Sequence, residues 1–198
     1  MRGLLLSLLV LLSIGGLGGC LTVQADEVPE GTYNAPEDAV FEWMHQQPSK
    51  VANTTAIRQV LQLDEYHAPV LVSFRPEGWK GETDALVLFN VEREKGHWVV
   101  RNYDYNPAPS RPDEPLTFYS PGSNSVLPFS AVYGVVNDDE ITHVAITWRD
   151  GLEQVVSVVR GSYASIRSDA PDVQATQAIA FDAQGNIVAE RTNQEAER

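Results

Sequence analysis

Apolar residues crowd from Leu4 to Ile14, give way to small residues up to Gly19, and stop at Cys20. Past that block, Leu21 to Tyr33 (LTVQADEVPEGTY) is polar and aperiodic, the pattern of a flexible tether. A helical period follows. Val40, Trp43, Met44 and Gln47 fall on one face, with Asn34 as N-cap, Glu37 as its capping-box partner, Pro36 in the first turn and Pro48 as the stop. Thr55 to Leu63 fits two periods. Ile57, Val60 and Leu61 suit a helix, whereas Leu61 and Leu63 ahead of a turn at Tyr66 to Pro69 suit a strand, which is the preferred reading.

From Val70 onward the pattern is β. Short apolar runs occupy Val70 to Phe74, Leu86 to Val91, Trp98 to Tyr103, Val126 to Val136, Ile141 to Trp148, Leu152 to Arg160, Tyr163 to Arg167, Gln177 to Phe181 and Ile187 to Glu190. Lys95-Gly96, Asp150-Gly151 and Gln184-Gly185-Asn186 read as tight turns between them, and short turns imply antiparallel pairing. The expected fold is α+β and mainly antiparallel β, with the N-terminal helix packed on one strongly curved antiparallel sheet. A single domain spans 34–190, and residues 191–198 form a polar tail that frays.

Composition narrows the function. The 198 residues carry 14 Lys and Arg against 27 Asp and Glu, a net charge of -13 without a basic cluster, which excludes a nucleic-acid partner. The apolar block is shorter than the roughly 20 residues of a bilayer span, so a polytopic membrane protein is excluded too. Cys20 is the only cysteine, so no intrachain disulfide or cysteine-based zinc site can form.

Arg2, the apolar core and the small residues before Cys20 form the three parts of a secretory signal. Its end, Leu17-Gly18-Gly19-Cys20, resembles the lipobox of bacterial lipoproteins. The resemblance implies cleavage between Gly19 and Cys20 and a diacylglyceryl group on the Cys20 thiol, whose two acyl chains make membrane attachment stable. Membrane lipid is then a partner through the acylated cysteine. The expected location is the extracytoplasmic side of the cell membrane, with the outer membrane open in a Gram-negative cell because Leu21 replaces the retaining Asp. In outline, the mature part resembles small uncharacterised secreted lipoproteins.

Motifs for chemistry are sparse. There is no G-x-S-x-G elbow, and Ser162 in Gly161-Ser162-Tyr163 reads as a turn residue. His45, His67, His97 and His143 lie far apart, and the densest group, Asp64, Glu65 and His67, reads as a solvated turn. Asn102, Asp104 and Asn106 alternate as calcium ligands do but lack the glycine and glutamate of the known loop, and Asp138-Asp139-Glu140 reads as an acidic turn. No catalytic residue, metal site or cofactor is assigned. Trp43, Trp98 and Trp148 are expected in the core. Arg75, Trp79, Tyr103 and Tyr105 are the candidate surface for a ligand or partner, against the plainer reading that such aromatics, with Tyr119, fold back as lids. The leading expectation is a lipid-anchored, non-catalytic binding module of the envelope, with an envelope protein or polymer as partner. An extracytoplasmic hydrolase whose Asp, Glu and His converge only in the fold is the alternative.

Overall fold

The computed structural model describes residues 33–46, 55–75, 84–104, 108–109, 113–121 and 125–193. It is mainly antiparallel β with one short helix, α1 (Pro36–His45). Ala35, extended at φ -126 and ψ 147, is the N-cap in place of the expected Asn34, and no side chain caps the helix. The cause is local: a residue before proline is pushed out of the helical region, so the helix can start only at Pro36. Glu37 and Asp38 then lie in the first turn, where the helix dipole favours them. Gln47 and Pro48 lie outside the described residues.

The strands are β1 (Ala56–Val60), β2 (Val70–Phe74), β3 (Ala85–Glu94), β4 (His97–Tyr103), β5 (Ala108–Pro109), β6 (Ser130–Val135), β7 (His143–Trp148), β8 (Glu153–Ser157), β9 (Ser162–Arg167), β10 (Ala175–Phe181) and β11 (Ile187–Thr192). The preferred reading of Thr55 to Leu63 therefore holds at its centre. In place of one strongly curved sheet, the described residues form three, none strongly curled: β1-β2-β3-β4 with β5 beside β3, the two-stranded ribbon β6-β9, and β11-β10-β7-β8. The three expected turns hold, and Lys95 (φ 50), Gly96 (φ 90), Gly151 (φ 85) and Gly185 (φ 84) supply their left-handed positions. Three expected strands are shorter. Val126 to Phe129 is irregular up to the start of β6, Ile141 to Trp148 is strand only from His143, and Leu152 to Arg160 keeps only β8 as strand.

Burial explains the division into sheets. Val70, Val72, Phe74, Val87, Phe89, Val91, Trp98 and Val100 share one buried cluster with Ala39, Val40 and Met44 of α1. The opposite face of the same sheet, Leu71, Leu86 and Leu88, packs on Leu127, Phe129 and the ribbon residues Ala131, Tyr133 and Ala164. The ribbon's other face, Val132 and Tyr163, joins Val144, Ile146, Trp148, Ala175, Ala178, Ala180 and Ala189 of the last sheet. Alternation sends neighbouring residues to opposite faces, so the ribbon is the middle layer and is apolar on both. Leu116 to Tyr119 covers its outer edge, with Thr117 N–H to Val135 O at 2.9 Å and reciprocal bonds between Tyr119 and Tyr133 at 3.0 and 2.9 Å. The approach is close: a Cβ on Gly134 would stand 2.0 Å from the Thr117 carbonyl oxygen.

Arg191 to Asn193 does not fray as expected. β11 runs to Thr192, the Arg191 guanidinium donates to Leu116 O at 3.0 Å, and Asn193 N–H donates to Thr176 O at 2.8 Å. Residues 194–198 lie outside the described residues.

One cation ties the ribbon to the last sheet. Arg167, only 6% exposed, donates to Asp150 at 2.6 Å and Asp169 at 2.8 Å and lies 5.7 Å from the Trp148 ring centroid. Hydrogen bonds from Arg167 hold both aspartates below the usual carboxylate range. Groups depressed in this way stabilise the fold above the ordinary value near pH ~4, and that stability is lost as pH falls through their lowered values. Arg167→Gln should therefore lower Tm at pH 7 and narrow the gap to wild type as the pH is taken towards 2. A constant gap across that range would show that the ion pairs are not its source. Gly134→Ala should cost about 3 kcal/mol, the upper end for overpacking, as a lowered urea midpoint at unchanged slope.

Candidate functional site

Polar side chains are rare inside the first sheet, and those present gather on the face that meets the ribbon. On β3, Val87, Phe89 and Val91 point to the helix, so Leu86, Leu88 and Asn90 point to the ribbon. Asn90 is 1% exposed and pairs across the ladder with Asn102 on β4. Directly beside that pair the register slips, Val91 opposing Val100, which leaves Arg101 as the extra residue of a bulge. The bulge inverts the alternation of β4. Trp98 and Val100 face the helix before it, while Asn102 and Asp104 face the ribbon after it.

Each amide is half engaged. Asn90 donates through Nδ2 to Glu92 Oε1 at 3.0 Å, and Asn102 donates through Nδ2 to Val126 O at 2.8 Å. Their Oδ1 atoms are buried and accept no hydrogen bond among the described residues. Asp104, 6% exposed, lies two residues from Asn102 on the same face, with its backbone N–H on Leu88 O at 3.0 Å. The Tyr133 hydroxyl reaches from the ribbon to Asp104 Oδ2 at 3.5 Å. Burial first and the Asp104 charge second push the Tyr133 phenol well above its usual value, so it remains a donor. Glu92 and Arg101 form the rim, 3.4 Å apart. The result is a group of polar side chains on the ribbon-facing side of the first sheet, two of whose amide oxygens are buried.

The expected surface residues do not meet there. Tyr103 points the other way, 4.7 Å from the Trp43 ring and 5.3 Å from Phe89, so it belongs to the aromatic packing under α1. Arg75 is half exposed and pairs with Asp84 at 3.4 Å. Gly19, Cys20, Trp79, Tyr105 and Asn106 lie outside the described residues. Tyr119 tilts against Tyr133 at 5.1 Å. Trp98 and Trp148 are core residues, at 7% and 1% exposure, and Trp43 packs against the core half-buried.

The histidines stay apart. His67 Nδ1 meets the Asp64 carboxylate at 2.8 Å, and that hydrogen bond is the main reason the Asp64 carboxyl falls below its usual value. Asp64 also accepts from the N–H groups of Tyr66 and His67, so the pair closes the turn that the sequence implied. His45 and His143 are exposed, and among the described residues no three of His, Cys, Asp and Glu gather as a metal would need. Ser162 follows the turn at Arg160-Gly161 and donates to Val159 O at 3.0 Å. Asp138 accepts from Glu140 N–H at 3.0 Å, a turn as expected.

Sequence reasoning missed Asn90 and Tyr133. The signal for Asn90 was present: it is the one polar residue in the run ALVLFNV, where a buried strand tolerates an amide only if its hydrogen bonds are met. The two buried phenols differ in a measurable way. Tyr163 donates to Thr117 O at 2.9 Å, whereas Tyr133 stands 3.5 Å from Asp104. Tyr163→Phe should cost about 1–2 kcal/mol and Tyr133→Phe less than about 0.5 kcal/mol, read from denaturant midpoints. In comparisons with known proteins, no family model, no curated protein and no solved structure matches this chain.

Proposed function

We propose that this protein is a lipid-anchored interaction module on the extracytoplasmic side of a bacterial cell envelope. The observation that carries the reading is Leu17-Gly18-Gly19-Cys20 behind an uncharged apolar core, in a chain whose only thiol is Cys20. Acylation there leaves a tether of thirteen residues before the domain, with a root-mean-square reach of about 20 Å if flexible. The tether meets the domain at a defined point, since Tyr33 bridges to Trp98 and its carbonyl accepts the Trp98 N–H at 3.0 Å. Among the described residues no helix is long and apolar enough to cross a membrane. Once Arg2 is removed with the signal, 13 Lys and Arg face 27 Asp and Glu, and a net charge of -14 opposes close contact of the domain with anionic headgroups and favours a protein or polymer partner held off the membrane.

Expression of the full chain in a bacterial host, beside Cys20→Ser, tests the reading. The wild-type protein should lose residues 1–19, gain a diacylglyceryl mass and sediment with membranes, and the variant should do none of these. An unmodified Cys20 with equal fractionation of both proteins would overturn it.

A further inference from the structure

We infer that β8 is the docking edge for a second copy of this chain, the two β8 strands pairing antiparallel about a two-fold axis at Val155. The inference goes beyond the anchored-module reading and stands without it. β8 is the outermost strand of the last sheet and pairs with β7 alone. Trp148 N–H donates to Leu152 O and Val158 N–H to Thr142 O, each at 2.9 Å, and these two bonds fix the phase of the ladder. Even-numbered residues of β8 bond β7, so the backbone N–H and C=O groups of Glu153, Val155 and Ser157 point outward. They find no hydrogen-bond partner among the described residues. Nothing else blunts this edge: its register with β7 has no bulge, the strand holds neither Pro nor Lys, and Val155 is 68% exposed. The opposite margin of the sheet differs, since β11 carries Glu190 and Arg191, and the Arg191 guanidinium is engaged on Leu116 O. A bare edge of this kind takes an added strand.

The length and charge of the edge select the occupant. At one end Val159 already exchanges backbone hydrogen bonds with Ser162 at 2.8 and 3.0 Å, and at the other the chain turns back at Asp150-Gly151. β8 itself, five residues long, matches the window left between them. In antiparallel self-pairing, only the register that sets Val155 opposite Val155 of the second copy engages the outward groups of Glu153, Val155 and Ser157 on both chains. That register also sets Glu153 opposite Ser157 of the second copy, so no like charges meet across the new ladder. The side chains agree with it. Val144, Ile146, Ala178 and Ala180 fill the core, so Val155, Ala145 and Ile179, which stand in one row across the sheet, face outward. Joining two copies brings two such rows end to end, and each Val155 covers the other.

The test uses the full chain carrying Cys20→Ser, purified in detergent, so that an added cysteine is the only thiol. A net charge of -13 opposes association of two copies, so the measurements are made at about 0.15 M salt, where the Debye length is about 8 Å. Sedimentation equilibrium in density-matched detergent should show a reversible monomer–dimer equilibrium. Val155→Cys should form a covalent dimer on mild oxidation, because hydrogen-bonded antiparallel partners stand about 5.5 Å apart at Cα, within disulfide range. Ile187→Cys, at 63% exposure on the far strand, should not. Val155→Lys sets two ammonium groups opposite each other, and Val155→Pro deletes an N–H that β7 does not use. Each should weaken dimerisation by about tenfold or more with the fold intact by circular dichroism. Should Val155→Pro fail to fold, Val155→Lys, at an exposed side chain, decides the matter. A monomer at every concentration up to about 1 mM would overturn the inference and leave the edge to a strand of another protein. A dimer that survives both substitutions, or Ile187→Cys cross-linking as readily as Val155→Cys, would overturn it equally.

Discussion

A two-stranded ribbon cannot be stable alone, and here β6-β9 lies between two larger sheets, so the molecule depends on burying that ribbon on both faces. The constraint is strict. Side chains on both faces must be apolar, and the backbone groups along the edges must find partners without water. β6 meets the first demand with Ala131, Val132 and Tyr133, and the second with β9 on one edge and Leu116 to Tyr119 on the other. Gly134 marks where that edge strand comes too close for any side chain. Because both large sheets pack on the same ribbon, neither has a complete core without it, and the helix serves as the outer cover of the first sheet only.

The same geometry accounts for the polar site. A sheet covered on both faces has no solvent side on which to place polar residues, so Asn90 and Asp104 end up buried and Asn102 half-buried, with the Tyr133 hydroxyl reaching Asp104 from the ribbon. One bulge at Arg101 suffices to turn the last residues of β4 from the helix face to the ribbon face. Arg167 is the second polar exception. It is matched by two aspartates and an aromatic ring at the junction of the ribbon and the last sheet, whereas the two amides keep free acceptors. Arg167 therefore reads as part of the scaffold.

Much of the fold was legible in the chain, for physical reasons that also mark where legibility ends. Apolar runs and turn residues located every strand from β2 onward except the two-residue β5, because Asp150-Gly151 and Lys95-Gly96 allow few conformations. The run Val126 to Val136 was overread, since Leu127 and Phe129 are buried from an irregular backbone, and hydrophobicity reports burial rather than conformation. The number of sheets was not legible, because a strand buried on both faces shows no alternation to say which layer it joins. Of the site, Asn102 and Asp104 were noticed as alternating oxygen ligands, but Asn90 lies on another strand and only the ladder brings it opposite them. Tyr103 packs with Trp43 and Phe89 because the same bulge returns that ring to the helix face, a placement that needs the ladder and not the sequence alone.

Hydrogen exchange of the native protein tests the central role of the ribbon most directly, because it reports the opening free energy of each strand separately. Amides of Ala131 to Val135 and Tyr163 to Arg167 should be the slowest in the molecule, exchanging only with global unfolding, and should become exposed together with those of β2, β3, β7 and β10. Ribbon amides that exchange faster than those of the two flanking sheets, or sheets that open independently while the ribbon remains protected, would contradict the account.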